Sequence, residues 1–293
     1  MDKIGIILVN YNAYQDTLEC IESLGKMTYL NYEIIVVDNF SSDNSLSQLK
    51  QIKNIHLIEA KQNGGFAYGN NLGIHYALNH GCNQVLLLNN DTTVEPDFLE
   101  KMIKTSQNQN IGIVAPKILN YYDRHIIWSA GGKINWRLFV GYNDQTGMID
   151  SKIKEVKDVE FSNGCCLLIK KEVIDTIGDL PEDYFMYYED LDYCLQVRKN
   201  YRIIYNSEAV IYHKVSASSG IESPFQLEWV TRSQLKFMNK YQHYVDYKTF
   251  KKCKVEIYLR KYARILSYLF KFDYTRAHAI LKGMDQKKLS PHQ

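Results

Sequence analysis

Three carboxylates lie inside an aromatic stretch of the sequence. Glu189, Asp190 and Asp192 fall within residues 185–194, FMYYEDLDYC, and apolar residues at helical spacing follow them. A solvated acidic run would have lysine, serine or glycine neighbours, so we expect at least one of these carboxylates to be partly desolvated. Partial burial raises the pKa of a carboxyl group, which suits a general base. The stretch therefore predicts acid–base chemistry.

Polar residues also follow two predicted strands. Asp38 and Asn39 come directly after one apolar run, and Asn89, Asn90 and Asp91 come after another. Ligands of open α/β sheets bind at the carboxyl ends of the strands. A divalent cation that also binds a diphosphate needs only one or two protein carboxylates, because phosphate oxygens and water complete its coordination. Asp91 is thus a candidate anchor for Mn2+ or Mg2+.

A glycine-bearing loop lies between these two sites. Gly64 and Gly65 begin the run GGFAYGNNLG, which continues into a predicted helix. Such a loop can cradle a phosphate at the helix N-terminus, although this one is neither GxGxxG nor a P-loop. A tight turn between strand and helix is the alternative interpretation.

These candidates need a framework of alternating strands and helices. Apolar runs predict strands at 3–10, 33–37, 55–58, 84–88, 111–116, 161–169, 202–205 and 209–212. Helices are predicted at 14–26, 96–108, 171–177 and 189–199, and another runs from the glycine-bearing loop at 63–73 to about His80. Near-continuous apolar strands are typical of parallel sheets covered on both faces. We therefore expect an α/β fold with a mixed, mainly parallel sheet.

Prolines and glycines set several of the expected boundaries. Pro96 is expected at the first position of its helix, and Pro116 is expected to end its strand. Residues 120–160 lose periodicity, with glycines between aromatic residues, and predict a hairpin-rich insertion or a mobile flap. A serine-rich loop at 216–220 follows His213.

Composition excludes several classes of protein. The six cysteines form no CxxC pair, which indicates reduced thiols in a cytosolic protein. We expect no export signal, and the sequence contains no uninterrupted apolar run of about 18 residues, so no transmembrane helix is expected.

The net charge of +2 is distributed unevenly. Residues 232–293 contain 15 Lys and Arg against 4 Asp and Glu. A basic region of this kind predicts an anionic partner, either a membrane surface or nucleic acid. Residues 258–271 mix aromatic, aliphatic and basic residues as an interfacial helix does, and no nucleic-acid module is recognisable. The other interpretation is a helical appendage with its cations in water.

Seven segments together resemble the family 2 glycosyltransferases with the GT-A fold, particularly the bacterial rhamnosyltransferases. They are IGIILVNYN, VVDNFSSDNS, NGGFAYGNNLGI, LLLNNDTTV, FSNGCCLLI, FMYYEDLDYCLQVRK and VIYHKVSASSG. The resemblance covers about residues 3–240. It implies a Rossmann-like GT-A domain over 1–224, with a nucleotide-binding half at about 1–118 and an acceptor-binding half at about 119–224. A helical basic C-terminal region follows at 225–293.

For the donor, the resemblance implies a nucleoside diphosphate sugar. Asp38 would accept a hydrogen bond from N3–H of uracil or thymine, with Asn10, Tyr11 and Asn39 in the same pocket. The segment 64–71, which ends at Asn71, would lie near the nucleotide and the sugar.

The metal-binding DXD motif of the family falls on Asn89, Asn90 and Asp91, where an asparagine replaces the first carboxylate. Asp91 would still bind Mn2+ or Mg2+ through the diphosphate. His213 matches a position that supplies a further metal or diphosphate contact, and a lone structural histidine is the alternative.

For the acceptor, the resemblance implies an inverting reaction with one base opposite the leaving group. We assign Asp190 as that base and Glu189 as a residue that positions the acceptor. Asp192 is expected to cap the helix N-terminus. Gly164, Tyr188 and Asp192 are the expected acceptor-binding residues.

The sequence thus predicts a cytoplasmic transferase of surface-polysaccharide assembly, with peripheral binding to the inner face of the cell membrane as an option. The best-matching donor is dTDP-rhamnose, and the acceptor is a glycan or a lipid-linked sugar. A UDP-hexose-dependent enzyme of the same fold and a non-catalytic sugar-binding or scaffold subunit are the alternatives. A nucleotidyltransferase would need a glycine-rich, basic loop after the first strand, where this chain has Asn10-Tyr11-Asn12.

Overall fold

The computed structural model describes residues 2–108, 110–215 and 222–285. The serine-rich loop predicted at 216–220 lies outside the described residues. The strands are β1 (Ile4–Asn10), β2 (Tyr32–Asp38), β3 (His56–Glu59), β4 (Gln84–Leu88), β5 (Thr92–Val94), β6 (Ile111–Asn120), β7 (Ile127–Ser129), β8 (Gly132–Asn135), β9 (Val140–Asn143), β10 (Val156–Asp158), β11 (Cys166–Lys170) and β12 (Arg202–His213). The helices are α1 (Tyr14–Leu24), α2 (Ser45–Leu49), α3 (Gly65–Asn79), α4 (Phe98–Ser106), α5 (Lys171–Ile177), α6 (Glu189–Val197), α7 (Pro224–Lys240), α8 (Tyr247–Phe270) and α9 (Tyr274–Met284).

One large sheet organises the described residues, in the order β10-β12-β6-β11-β4-β1-β2-β3. Strands β3, β2, β1 and β4 are parallel neighbours, while β11 runs antiparallel between β4 and β6. Strand β12 is parallel to β6, and β5 pairs antiparallel with β12. The predicted mixed, mainly parallel α/β sheet is therefore confirmed.

Burial on both faces explains why the central strands are continuously apolar. Ile4, Ile6, Ile7 and Leu8 of β1 are fully buried, and they divide between two core clusters on opposite faces of the sheet. Helix α3 packs closely on β1, because a Cβ at Gly73 would lie 2.5 Å from the Ile7 side chain. This close packing fixes the loop before α3 against the carboxyl end of the sheet.

Two predicted boundaries set by proline are wrong. Strand β6 continues through Pro116 to Asn120. Pro116 lies opposite Asn206 at a bulge in β12, where the hydrogen-bond ladder is irregular. The missing N–H of the proline therefore costs little stability there. The same bulge joins the two strands predicted at 202–205 and 209–212 into β12. Pro96 precedes α4 instead of opening it, since Asp97 is the N-cap.

The segment without periodicity contains the predicted hairpin. Strands β8 and β9 pair antiparallel, with Gly132 opposite Asn143. Phe139, in the turn between them, is fully buried against Trp136 and Phe250. The hairpin thus links the sheet to the C-terminal helices.

The C-terminal helices pack on the side of the domain that carries α6. Asp192 of α6 is fully buried and forms an ion pair of 2.6 Å with Lys240 of α7. Among the described residues, no helix is both long enough and apolar enough to cross a bilayer. The six cysteines are buried, and none of them forms a disulfide.

Candidate active site

A cavity of about 760 Å³ lies at the carboxyl ends of β1, β2 and β4. One wall consists of Tyr11, Asn39 and the segment 88–91. The opposite wall contains Gly164 and the start of α6. Its volume is in the range of small-molecule sites, which span roughly 300–1,000 Å³. The cavity therefore brings together the strand ends and the acidic stretch that the sequence marked out separately.

Asp38 lies behind the cavity wall rather than in it. Its carboxylate accepts hydrogen bonds from Asn10 Nδ2 at 2.9 Å and from Ser41 Oγ at 2.6 Å, and Asn10 is itself fully buried. Asn39, the next residue, lines the cavity and donates from Nδ2 to Gly65 O at 3.1 Å. Asn39 Oδ1 is buried and accepts no hydrogen bond from the described residues.

Gly65 joins the glycine loop to the acidic stretch by a close backbone contact. Its φ angle is +84°, and a Cβ at this position would lie 1.9 Å from Phe185 O. The same carbonyl accepts a hydrogen bond from Phe66 N at 3.1 Å. Gly64, by contrast, packs against the Tyr68 ring and does not line the cavity. Only glycine at position 65 permits this approach.

Asp190 is partly exposed to the cavity, and two backbone amides hold its carboxylate. Gly164 N donates to Oδ2 at 2.8 Å, and Leu191 N donates to Oδ1 at 2.7 Å. Burial raises the pKa of Asp190, and the two amide hydrogen bonds partly offset that rise. Each carboxylate oxygen keeps a lone pair beyond the one used, so Asp190 can still accept a proton.

Glu189 is more deeply buried than Asp190 and differs from it electrostatically. Only 5% of the residue is exposed, and Oε2 accepts no hydrogen bond from the described residues. Burial raises the pKa of Glu189 well above its usual value, and the negative charge of Asp190 raises it further. The pair therefore favours a protonated Glu189 beside an ionised Asp190.

The backbone leading into α6 is strained. Tyr187 and Tyr188 have φ angles of 67° and 75°, a region that costs bulky residues about 1–3 kcal/mol each. Ser233 of α7 donates to Met186 O at 2.9 Å, and the Tyr188 ring packs on Phe237 with centroids 5.4 Å apart. Helix α7 thus holds the chain in the conformation that brings Glu189 and Asp190 to the cavity.

Asp91 and His213 meet because of the strand pairing. His213 lies opposite Thr92 in the β5–β12 ladder, so its Nε2 lies 3.1 Å from Asp91 Oδ1. Burial lowers the pKa of His213, but Cys165 and the Asp91 carboxylate together raise it above its usual 6.5. Burial also raises the pKa of the Cys165 thiol, to about 11. Trp128 packs edge-on against the imidazole at 4.6 Å.

This pair fits a divalent cation that shares its coordination with a ligand. Adjacent ligand atoms of an octahedral Mg2+ site, with bonds of about 2.1 Å, lie about 3 Å apart, close to the observed spacing. The described residues contain no cluster of three His, Cys, Asp or Glu able to hold a metal alone. No Lys or Arg is present among the described residues that line the cavity. A diphosphate there would need its charge balanced by such an ion.

Several predicted site residues lie outside the cavity. Asn71 donates to Leu180 O at 3.0 Å and to Glu182 Oε1 at 2.8 Å, and thereby fixes the loop before α6. Tyr188 packs into the core. The predicted helix cap at Asp192 is wrong, because its oxygens accept hydrogen bonds from four side chains instead of backbone amides. These are Tyr184, Gln196, Lys240 and Tyr241.

The cavity also contains residues that the sequence analysis missed. Asn143 of the hairpin and Asn163 line it together, and Asn163 Nδ2 donates to Asn143 Oδ1 at 3.3 Å. Phe225 and Gln226, from the first turn of α7, form part of its edge. Asn163 precedes Gly164 in a quoted motif, but Asn143, Phe225 and Gln226 carry no local signal.

Two curated relatives align with more than two thirds of this chain. The Haloferax volcanii low-salt glycan biosynthesis hexosyltransferase Agl10 is 29% identical over 230 residues, covering 78% of this chain and 72% of its own. The Shigella flexneri dTDP-rhamnosyl transferase RfbF is 25% identical over 202 residues, covering 69% of this chain and 65% of its own.

Solved structures share the fold at lower identity. The Pyrobaculum calidifontis mannosyltransferase PcManGT, in complex with GDP-Man and Mn2+, has a TM-score of 0.59 at 16% identity and covers 99% of this chain and 77% of its own. GalNAc-T7 with UDP, GalNAc and Mn2+ has a TM-score of 0.64 at 13% identity and covers 80% of this chain and 47% of its own. The fold is therefore the predicted GT-A fold.

The sequence profile of glycosyl transferase family 2 matches residues 5–178, more than half of the chain. This range includes the strand ends at Asn39 and Asp91 and stops before α6. The chain therefore belongs to glycosyl transferase family 2 and is an enzyme of the glycosyltransferase class.

Proposed function

We propose that the chain is an inverting glycosyltransferase that moves a sugar from a nucleoside diphosphate to a hydroxyl of a glycan or lipid-linked acceptor in surface-polysaccharide synthesis. The observation that carries this proposal is the cavity itself, in which strand-end polar residues face Glu189 and Asp190. The donor is assigned to residues 1–118 and the acceptor to residues 119–224. The first donor to test is dTDP-rhamnose, since RfbF carries that name.

In this reaction the acceptor hydroxyl attacks the anomeric carbon from the face opposite the diphosphate. Asp190 accepts the hydroxyl proton as the new C–O bond forms and the bond to the diphosphate breaks. Its raised pKa makes it a stronger base than an exposed aspartate. Glu189, protonated, donates a hydrogen bond and positions the acceptor, and Gly164 N keeps the Asp190 carboxylate oriented.

Asp91 and His213 would hold Mn2+ or Mg2+, and the ion would supply positive charge to the diphosphate leaving group. The proposal is supported by their 3.1 Å separation and by the lack of Lys and Arg in the described cavity walls. The raised pKa of His213 means that its imidazole must release a proton before it binds a metal. Tyr11, Asn39, Gly65, Asn89 and Asn90 would then surround the donor.

Asp38 and Asn10 are proposed to shape the nucleotide pocket from behind, because both are buried and bonded to each other. For the cell, we propose a cytoplasmic location with peripheral attachment to the membrane. A UDP-hexose donor is the alternative within the same mechanism. A non-catalytic sugar-binding subunit would show acceptor binding by calorimetry without nucleotide binding.

The deciding experiment offers purified protein dTDP-rhamnose and a set of UDP-hexoses, with a lipid-linked acceptor pool, and measures release of nucleoside diphosphate. We expect one donor to be consumed. The variant Asp190→Asn should lower the transfer rate by about 10²–10⁴-fold, the usual contribution of a general base, while donor binding is kept.

A matched control is Asp175→Asn, which makes the same change at an exposed ion pair with Lys171. It should leave both quantities unchanged, because exposed pairs contribute little. No release from any donor would refute glycosyl transfer. Loss of donor binding in Asp190→Asn would refute its assignment as the base.

A further inference from the structure

Helix α8 carries apolar residues on two opposite faces. One face is buried against the domain through Phe250, Cys253, Ile257, Ile265 and Tyr268. The other face, here called the outer stripe, consists of Val255, Leu259, Tyr262, Leu266 and Phe270, with exposures of 60, 62, 50, 54 and 84%. Steps of three and four residues keep these side chains on one side of a helix. A continuous exposed apolar surface of this kind normally marks a site of interaction with a protein or a membrane.

The turn after α8 extends the outer stripe with exposed aromatic rings. Phe272 is 78% exposed and Tyr274 is 62% exposed. Phe272 also has a φ angle of 58°, so the turn is tight and projects from the end of two packed helices. Exposed aromatic rings beside cations are characteristic of segments that insert into the boundary between lipid headgroups and acyl chains.

The charges on the same face identify the chemistry of the partner. Lys248, Lys251 and Lys252 lie one to two turns before Val255 and are all exposed. None of the three forms an ion pair within the described part of the chain, and Lys251 lies 4.5 Å above the Tyr247 ring. A second copy of the chain would present the same uncompensated positive charge and would not neutralise these lysines. An anionic surface complements them.

The buried face of α8 contacts a segment at the edge of the cavity. Glu222 accepts hydrogen bonds from Arg264 at 2.7 Å and from Tyr268 at 3.2 Å, both on α8. The backbone amide of Glu222 donates to Gln226 Oε1 at 2.7 Å, and Gln226 lines the cavity. A surface on the outer stripe would therefore lie about one helix diameter, roughly 10–12 Å, from this edge of the cavity.

We infer that the outer stripe, the α8–α9 turn and the three lysines bind an anionic lipid surface. The inference deepens the proposed function, on which it rests, by naming the class of acceptor: a sugar carried on a membrane lipid, which reaches the cavity from the headgroup layer. The apolar side chains enter the interface, and the lysines bind the anionic headgroups.

Vesicle flotation tests this inference with the full-length chain and needs neither donor nor acceptor. The probes are vesicles of phosphatidylcholine alone and of phosphatidylcholine mixed with phosphatidylglycerol. The wild-type chain should float only with the mixed vesicles, and less as salt is added. The triple variant Leu259→Ser/Leu266→Ser/Phe270→Ser should lower the partition by about tenfold or more, because three large apolar groups no longer enter the interface.

The matched control changes three equally exposed apolar residues elsewhere: Leu30→Ser/Ile149→Ser/Ile153→Ser, at 79, 74 and 70% exposure. Its partition should stay within about twofold of wild type, because these residues lie outside the outer stripe. The variant Lys248→Gln/Lys251→Gln/Lys252→Gln should bind the mixed vesicles more weakly than wild type. Its remaining binding should change little with salt.

Wild-type protein that does not float with the mixed vesicles, or an outer-stripe variant that floats equally well, would overturn the inference. So would sedimentation showing a wild-type dimer that the outer-stripe variant dissociates, since a second copy would then cover this face. Diphosphate release measured without vesicles separates the two proposals. Release without flotation rejects membrane binding alone, and flotation without release rejects glycosyl transfer alone.

Discussion

The contact between Gly65 and Phe185 joins the glycine loop to the acidic stretch, and Gly65→Ala tests its importance. Gly65 has a φ angle of +84°, and an added Cβ would lie 1.9 Å from Phe185 O. A carbon and a carbonyl oxygen need more than 3 Å, so one backbone must move by over about 1 Å. Phe185 lies four residues before Glu189, so the movement would reach the acid pair.

Two terms set the expected loss of stability. The left-handed conformation costs alanine about 1–2 kcal/mol. Displacing Phe185 also breaks the 3.1 Å hydrogen bond from Phe66 N to its carbonyl, worth about 1 kcal/mol. The free energy of unfolding should therefore fall by about 2–3 kcal/mol, before any strain in the displaced segment.

The assay is urea unfolding of Gly65→Ala beside Gly81→Ala. Gly81 has nearly the same φ, +82°, but a Cβ there would meet nothing within 4 Å. The control should lose only about 1–2 kcal/mol and keep its transfer rate. Gly65→Ala should lose more stability and about 100-fold in rate, the effect of misplacing a catalytic group by about 1 Å. Equal stability and rate in the two variants would refute the reasoning.

Three further changes test the charges. Glu189→Gln should raise Tm, and the gain should be larger at about pH 8 than at pH 4.5. A carboxyl group whose pKa is raised on folding stabilises the fold at low pH and loses that contribution as the pH rises. An equal gain in Tm at both pH values would contradict this. Asp91→Ala should abolish the Mn2+-dependent gain in donor affinity, about tenfold or more, in calorimetry with and without EDTA; a gain equal to wild type would exclude Asp91. Lys240→Met should lower the free energy of unfolding by about 1–3 kcal/mol, since Asp192 is fully buried but keeps three other donors; an unchanged urea midpoint would count against the ion pair.

Strand ends were predictable from the sequence because topology determines where they meet. Apolar runs located β1, β2 and β4, and parallel strands must deliver Asn39 and Asp91 to one edge of the sheet. Contacts between distant segments were not predictable. The bulge that accommodates Pro116 lies in a strand about 90 residues later in the chain, at Asn206. The local sequence around Pro116 does not identify Asn206 as its partner.

The acidic stretch shows the same limit. The residue types predicted partial burial, and the structure confirms it for Glu189. Spacing alone could not separate the roles of the three carboxylates, because each role depends on its neighbours. Asp192 forms a buried ion pair with Lys240, which lies 48 residues later in the sequence. Burial raises the pKa values of Glu189 and Asp190, and no cation among the described residues forms an ion pair with either of them.

The charges in the cavity differ between the side that carries Asp91 and the side that carries Glu189 and Asp190. The described cavity walls contain Asp91, Glu189 and Asp190 but no Lys or Arg. A diphosphate entering alone would meet the Asp91 carboxylate with only His213 to balance its charge, whereas a divalent cation arriving with the diphosphate would use the same carboxylate as a ligand. On the other side, a protonated Glu189 leaves the Glu189–Asp190 pair with one negative charge. Transfer of one proton from the acceptor hydroxyl to Asp190 would neutralise that charge. Donor binding should therefore depend on metal and transfer on pH, and the two dependences should be separable by mutation.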